Sequence, residues 1–173
     1  MRKTMDKIEV YHAGTDRIES PDCMRGRENL DFGRGFYITD IYDQAYNLAL
    51  ARSRDRRLPA LINTYLLDRK AILEDARALI FDRYDENWLE FIVACRGGKD
   101  IWRNYDYVEG GVADDRVIDT VNMYIQGFIS QERALQNLRY LKPNNQICIL
   151  NQDMLERHLQ FTDCQIISSD GLL

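Results

Sequence analysis

The sequence predicts an α+β domain, and two observations carry that reading. Segments with strand patterning stand before, between and after the helical segments, without the regular strand–helix–strand beat of a doubly wound sheet. A length of 173 residues with 45% hydrophobic and 29% charged side chains suits one globular core of ordinary size. No repeat, low-complexity tract or linker interrupts the chain, so residues 1–173 read as a single domain.

The elements follow in order. Ile8 to His12 is an apolar-alternating strand, and the polar stretch 15–34, with Pro21 and Gly26, is a long loop. Asp31-Phe32-Gly33-Arg34-Gly35-Phe36-Tyr37-Ile38-Thr39 reads as a glycine-flexed turn entering a second short strand. Thr39 or Asp40 can cap a helix over 41–53, on which Ile41, Ala45, Leu48 and Ala49 recur at helical spacing. Leu61 to Leu67 is short, apolar and partly β-branched, hence a strand. Asp85 to Cys95 places Trp88, Leu89, Ile92 and Cys95 on one helical face, and Tyr105 to Val108 is a short strand. Asp114 or Asp115 can cap a helix with the stripe Val117, Ile118, Val121, Tyr124 and Ile125. Ser130 can cap another, with Ala134, Leu135, Leu138 and Leu141 inward, and Pro143 with the two asparagines after it stops that helix. Gln146 to Leu150 and Phe161 to Ile167 are the last strands.

Composition narrows the function classes. A net charge of −5 argues against a nucleic-acid scaffold held by bulk electrostatics, while leaving room for a local basic patch. No apolar run approaches the ~20 residues of a membrane span, and the N-terminus lacks an apolar signal core. Four dispersed cysteines (Cys23, Cys95, Cys148, Cys164) and two histidines argue against zinc and for a cytoplasmic protein with reduced thiols.

Two side chains stand out as chemistry-bearing. His12 ends the first strand and Tyr37 lies on the second, so the two could wall a common cleft for a flat aromatic group bearing a ribose, as in NAD. Each also has a bland reading, a satisfied structural histidine and a core tyrosine. Gly33 and Gly35 allow close approach of a ligand to the backbone, or simply a tight turn. Arg34, inside that turn, is a candidate for a pyrophosphate contact. The run Arg52-Ser53-Arg54-Asp55-Arg56-Arg57 is explained by cations at a helix C-terminus on a solvated face. His158 reads as surface, Trp88 as core and Trp102 as a loop anchor.

Three blocks taken together carry a resemblance: Tyr11-His12-Ala13-Gly14, then Asp31 through Thr39, then Asp43-Gln44-Ala45. With Trp88 to Ile92, Gly111 to Asp115, Ser130 to Leu138 and Asn144-Asn145-Gln146, the chain over roughly residues 8–165 resembles the ADP-ribosyltransferase-like superfamily, in particular the bacterial family called domain of unknown function 3990. The resemblance implies a split sandwich of two small antiparallel sheets with flanking helices, and NAD+ as substrate in the cleft between them. It implies His12 on the nicotinamide-side ribose, Tyr37 stacked on the nicotinamide, and Gln146 at the position where many relatives carry glutamate. The implied NAD contacts are His12, Ala13, Gly14, Arg34, Gly35, Phe36, Tyr37 and Thr39. Ala13 stands where relatives often have glycine.

The implied activity is mono-ADP-ribosyl transfer to a protein, nucleic-acid or small-molecule acceptor, in a toxin or defence effector paired with an antitoxin protein. Glutamine cannot act as a general base, so Asp114 and Asp115 are candidates to supply a carboxylate, their plainer role being a helix cap. Two rival expectations are a non-catalytic NAD or nucleotide binding module and an interaction protein.

Overall fold

The computed structural model describes residues 7–141 and 144–168; the helix stop expected at Pro143 lies outside them. In chain order the elements are β1 (Lys7–Gly14), β2 (Phe36–Ile38), α1 (Tyr42–Arg56), β3 (Ala60–Asp68), α2 (Arg69–Asp75), β4 (Ala78–Ile80) and α3 (Glu86–Arg96). Then follow β5 (Tyr107–Gly110), α4 (Asp115–Ile125), α5 (Gln131–Leu138), β6 (Gln146–Ile149), α6 (Gln152–His158) and β7 (Leu159–Ser168), with 3-10 turns at Cys23–Arg25 and Asp100–Asn104. Among the described residues no helix is long and apolar enough to cross a membrane.

The strands form two sheets, ordered β1-β3-β7 and β2-β6-β5-β4. Side chains alternate faces along a strand, and that alternation builds the cores. Val10, Tyr65 and Leu67 of the first sheet meet Phe36, Ile38, Tyr107, Ile147 and Ile149 of the second. The opposite face of the second sheet, with Val108 and Cys148, buries Trp88, Leu89 and Ile92 of α3, Val117 and Val121 of α4, and Ala134 and Leu138 of α5. Asp114 and Ser130 cap their helices through side-chain oxygens, as expected, and Asp85, which the sequence reading placed inside its helix, is the cap of α3.

The α+β class holds, with corrections. The second sheet is mixed, because β4 and β5 run parallel, joined by the α3 crossover that a parallel pair requires. Helix α2 and strand β4 were absent from the sequence reading; each is short, and β4 has no periodicity to detect. Helix α1 runs three residues past 53 and stops at Arg57, whose φ of 55° is left-handed. Its buried stripe is Ala45, Ala49 and Ser53, whereas Ile41 and Leu48 are exposed. Alanines let the helix lie close against Ala13, Ala60 and Ile62, which a leucine stripe would prevent. Neither Thr39 nor Asp40 is the cap residue, although the Thr39 hydroxyl accepts the Ile41 N–H at 3.1 Å. His158 is not a free surface group: its Nε2 lies 2.9 Å from Asp75 Oδ2 on α2.

Candidate functional site

Besides the packed core, one isolated backbone bridge joins the two sheets among the described residues. Tyr11 and Thr39 exchange backbone hydrogen bonds at 2.8 and 2.9 Å, bridging β1 to β2. Backbone groups alternate sides along a strand, so Ala13 on β1 and Tyr37 on β2 face the same gap two residues further on. There the ladder does not continue. His12 inserts its ring, with Nδ1 2.7 Å from the Tyr37 carbonyl oxygen. Arg52 of α1 inserts its guanidinium and donates from Nη1 to the Ala13 carbonyl at 2.5 Å. The strands therefore part into an open seam, held apart by two side chains.

That geometry assigns the histidine tautomer. A carbonyl only accepts, so Nδ1 carries the proton and Nε2 presents a lone pair. Nε2 bonds no protein group among the described residues, and Gly14 leaves room beside it. Burial lowers the His12 pKa to about 4, the nearby Arg52 charge pushes the same way, and the Tyr37 carbonyl opposes both. At neutral pH the ring is uncharged. It also stacks on Phe36, with centroids 4.6 Å apart.

The Asp31–Tyr37 block is a self-stapled turn. Asp31 pairs with Arg96 of α3 at 2.6 Å, and Phe32 is buried among the α3 side chains. Gly33 has φ +87°, and a Cβ there would lie 2.1 Å from the Trp102 ring, so only glycine fits. Gly35 approaches β6 so closely that a Cβ would meet Cys148 Sγ at 2.5 Å. The Tyr37 hydroxyl donates to Gly33 O at 2.6 Å and accepts the Phe32 N–H at 3.0 Å, and burial holds its pKa well above the ordinary value. We expect Tyr37→Phe to cost about 1–3 kcal/mol by leaving those buried groups unpaired. Denaturant unfolding checks this, and an unchanged midpoint would show that the hydroxyl does not hold the turn.

The structure brings several predicted residues together and separates others. Tyr37 and Cys148 are directly opposite across β2 and β6, so Gln146, two residues from Cys148, shares the face of Tyr37. Gln146 is 9% exposed, and its Nε2 is buried without a hydrogen-bond partner. His12 reaches this strand pair from the other side: it touches Tyr37 through the backbone and Phe36 through the ring, so the His12 and Tyr37 rings do not face one another across one cleft. The reason is the pleat, which turns Phe36 and Tyr37 to opposite faces. Thr39 is buried, with its hydroxyl donated to Asn145 O at 2.7 Å.

Arg34 is engaged by Glu28, and its Nε is buried without a partner, so its guanidinium is committed inside the loop. Asp114 spends one oxygen on the Arg116 and Val117 N–H groups and accepts from Asn144 Nδ2 at 3.2 Å with the other, which is the work of a cap. Asp115 opens α4, and its side chain lies outside the described part of the structure. Glu109 is buried one register position from Gln146 but points to the other face, where it accepts from Arg69 at 2.8 Å and from the Tyr107 hydroxyl at 2.6 Å.

Sequence reasoning missed Gln44, Asn145 and Arg52. Gln44 Nε2 donates to Asn145 O at 2.8 Å, and its Oε1 accepts the Asn145 N–H, tying α1 to the start of β6. Gln44, Leu48 and Arg52 recur at four-residue spacing, so one flank of α1 runs from Asn145 to Ala13 along the seam. The available signal was the four-residue spacing of Gln44, Leu48 and Arg52, which sets a second flank of α1 beside the Ala45–Ala49 stripe. Among the described residues no group of three His, Cys, Asp or Glu is placed to hold a metal ion. A groove of about 960 Å³ opens elsewhere, beside Leu79, Phe81, Phe91 and Tyr124, and gathers none of the predicted site residues.

Over residues 8–161 the chain matches the family described as "Protein of unknown function (DUF3990)". No curated protein and no solved structure matches it.

Proposed function

The chain belongs to the DUF3990 family, and we propose that it is an NAD-dependent mono-ADP-ribosyltransferase of ADP-ribosyltransferase-like fold. The observation that carries the reading is the opened seam, with a neutral His12 whose Nε2 bonds no protein group among the described residues; the buried, unpartnered Gln146 amide lies on the opposite face of the β2–β6 pair. Cleavage of the nicotinamide–ribose bond builds positive charge on the ribose, as in glycoside cleavage. A site assists by holding the sugar and excluding water. In this reading the ligand wraps the free edge of β2: His12 Nε2 accepts from a ribose hydroxyl on one face, while on the other Gln146 Nε2 donates to a ribose oxygen and the Tyr37 ring meets the leaving nicotinamide. Nothing in this set is a carboxylate, so the acceptor is one that needs little deprotonation.

The same substitution favours a second reading, a binding module that holds NAD without turnover. Nicotinamide release from NAD separates the two, measured with and without host cell extract. Release that requires extract and is lost in His12→Phe supports the transferase, and labelled NAD then identifies the acceptor. Release without extract indicates hydrolysis. NAD-dependent thermal stabilisation without release under either condition supports the binding module. Neither stabilisation nor release overturns both.

A further inference from the structure

Helix α1 turns alanines to the sheet and leaves aromatic rings outside. Tyr42 and Tyr46 are 38% and 36% exposed, while Ala45 and Ala49 fill the contact. The two tyrosine rings lie 6.2 Å apart, and Tyr42 meets the ring of Tyr11 on β1 edge-on at 5.2 Å. Tyr11 is fixed in turn by donating its hydroxyl to Glu9 at 2.5 Å. Among the described residues the Tyr42 and Tyr46 hydroxyls make no hydrogen bond. Tyr42, Tyr46, Leu50 and Arg54 recur at four-residue spacing, so they form one ridge along α1. It runs on the opposite side of the alanine stripe from Gln44, Leu48 and Arg52. The ridge ends in the run Arg52 to Arg57, four arginines against one aspartate. Arg69, Arg77 and Arg96 pair with Glu109, Asp106 and Asp31. Among the described residues Arg54, Arg56 and Arg57, all exposed, make no ion pair. The helix dipole favours cations in the last turn, but it does not call for the tyrosines that lead up to them.

We propose that this ridge of α1 docks single-stranded RNA. Charge complementarity selects the class of partner: a cluster of unpaired arginines in a chain of net charge −5 complements a polyanion, whose counterions it displaces. The rings select the single strand. A base covers an exposed tyrosine face only when it is unstacked, and within a duplex both faces of a base are already covered. The unbonded tyrosine hydroxyls select RNA, since each can bond a 2′-hydroxyl, which DNA lacks. Glu9 and Asp43 border the tyrosine end, so the phosphates gather at the arginine end and the bases at the rings. Tyr46 and Arg54 stand about 12 Å apart along the helix, a span of a few nucleotides. The opposite flank of α1 reaches the seam through Arg52, so RNA docked here lies one helix diameter, about 10–12 Å, from it. The inference does not rest on the NAD reading.

The test is fluorescence anisotropy of a short labelled single-stranded RNA at low ionic strength, with DNA of the same sequence and the RNA duplex as comparisons. Wild type should bind the single-stranded RNA about tenfold more tightly than either. Tyr46→Ala should weaken that binding by about fivefold to a hundredfold, the loss of one stacked base. Tyr46→Phe should keep the stacking while narrowing the preference for RNA over DNA. Replacing Arg54 and Arg57 together by glutamine should lower the slope of log affinity against log salt concentration by about 1–2. Tyr46, Arg54 and Arg57 are exposed, so each variant should keep the wild-type Tm. Absence of single-stranded RNA binding overturns the proposal. So does binding that Tyr46→Ala leaves unchanged, or a duplex bound as tightly, since either makes the patch a site for any polyanion. DNA bound as tightly as RNA overturns the assignment of RNA.

Discussion

Gln146→Leu should make the free protein more stable, and Gln146→Glu should make it a faster NAD glycohydrolase. The first follows from a buried amide whose Nε2 has no partner. An unsatisfied buried donor costs about 1–3 kcal/mol, and replacing it by an apolar side chain of similar size removes that cost. In a chain of 173 residues each kcal/mol is worth about 2–4 °C in Tm. The same substitution should abolish stabilisation by NAD, because the donor to the ribose is gone. A Tm that falls in Gln146→Leu would mean that the amide is partnered in solution. The glutamate variant supplies the carboxylate that the site lacks. Nicotinamide release should rise by roughly 100-fold, the lower range for a positioned general base. Since the position is 9% exposed, burial raises the new carboxyl's pKa, so the gain should grow as pH is raised. Equal release by wild type and Gln146→Glu at pH 8 would show that this side chain does not face the ribose.

His12→Phe should abolish NAD binding and remove a pH-dependent part of the stability. Phenylalanine keeps the stack on Phe36 but leaves the Tyr37 carbonyl without its donor. Histidine 12 titrates near 4 in the folded chain against 6.5 for an ordinary imidazole. Between those values the unfolded chain binds a proton that the folded chain refuses, so stability rises with pH across that window. On acidification from pH 6.5 the wild type should progressively lose up to about 3 kcal/mol through this residue, with the loss complete below pH 4. The difference in unfolding free energy between wild type and His12→Phe should shrink by that amount over the same interval. Urea melts at pH 7, 5.5 and 4 measure it, and a difference independent of pH would sink the assignment. His12→Asn separates the two roles. Its amide can still donate to Tyr37 O, which keeps the seam, but it does not reach the position of Nε2, so NAD cleavage should stay lost while the fold recovers.

Much of the scaffold was legible because it is local. Asp114 and Ser130 cap helices for a reason contained within three residues of each. The stripes of α3 to α5 follow from the helical period, except that Ile125, expected on the buried stripe of α4, is exposed at the end of that helix; β3 and β6 follow from short apolar runs. The resemblance reached the family, and with it His12, Tyr37 and Gln146, before any contact was known. It read less well where small residues decide. Ala45 and Ala49 bury themselves in preference to Ile41 and Leu48, because close approach of α1 to Ala13 and Ala60 is worth more than a leucine in a gap.

What the sequence determined by itself was the class of the fold, most of its elements and the family; His12, Tyr37 and Gln146 it offered as candidates. Tertiary structure alone decided that β1 and β2 separate after one bridge, that His12 meets Tyr37 through a carbonyl, that Gln146 Nε2 is left without a partner, and that Arg52 reaches the Ala13 carbonyl. The contacts among these join groups 25 or more residues apart in the chain, as with His12 and Tyr37. No periodicity or cap encodes such a contact; it exists only once the pleat has chosen which face each side chain takes and the packed helices have fixed what stands opposite.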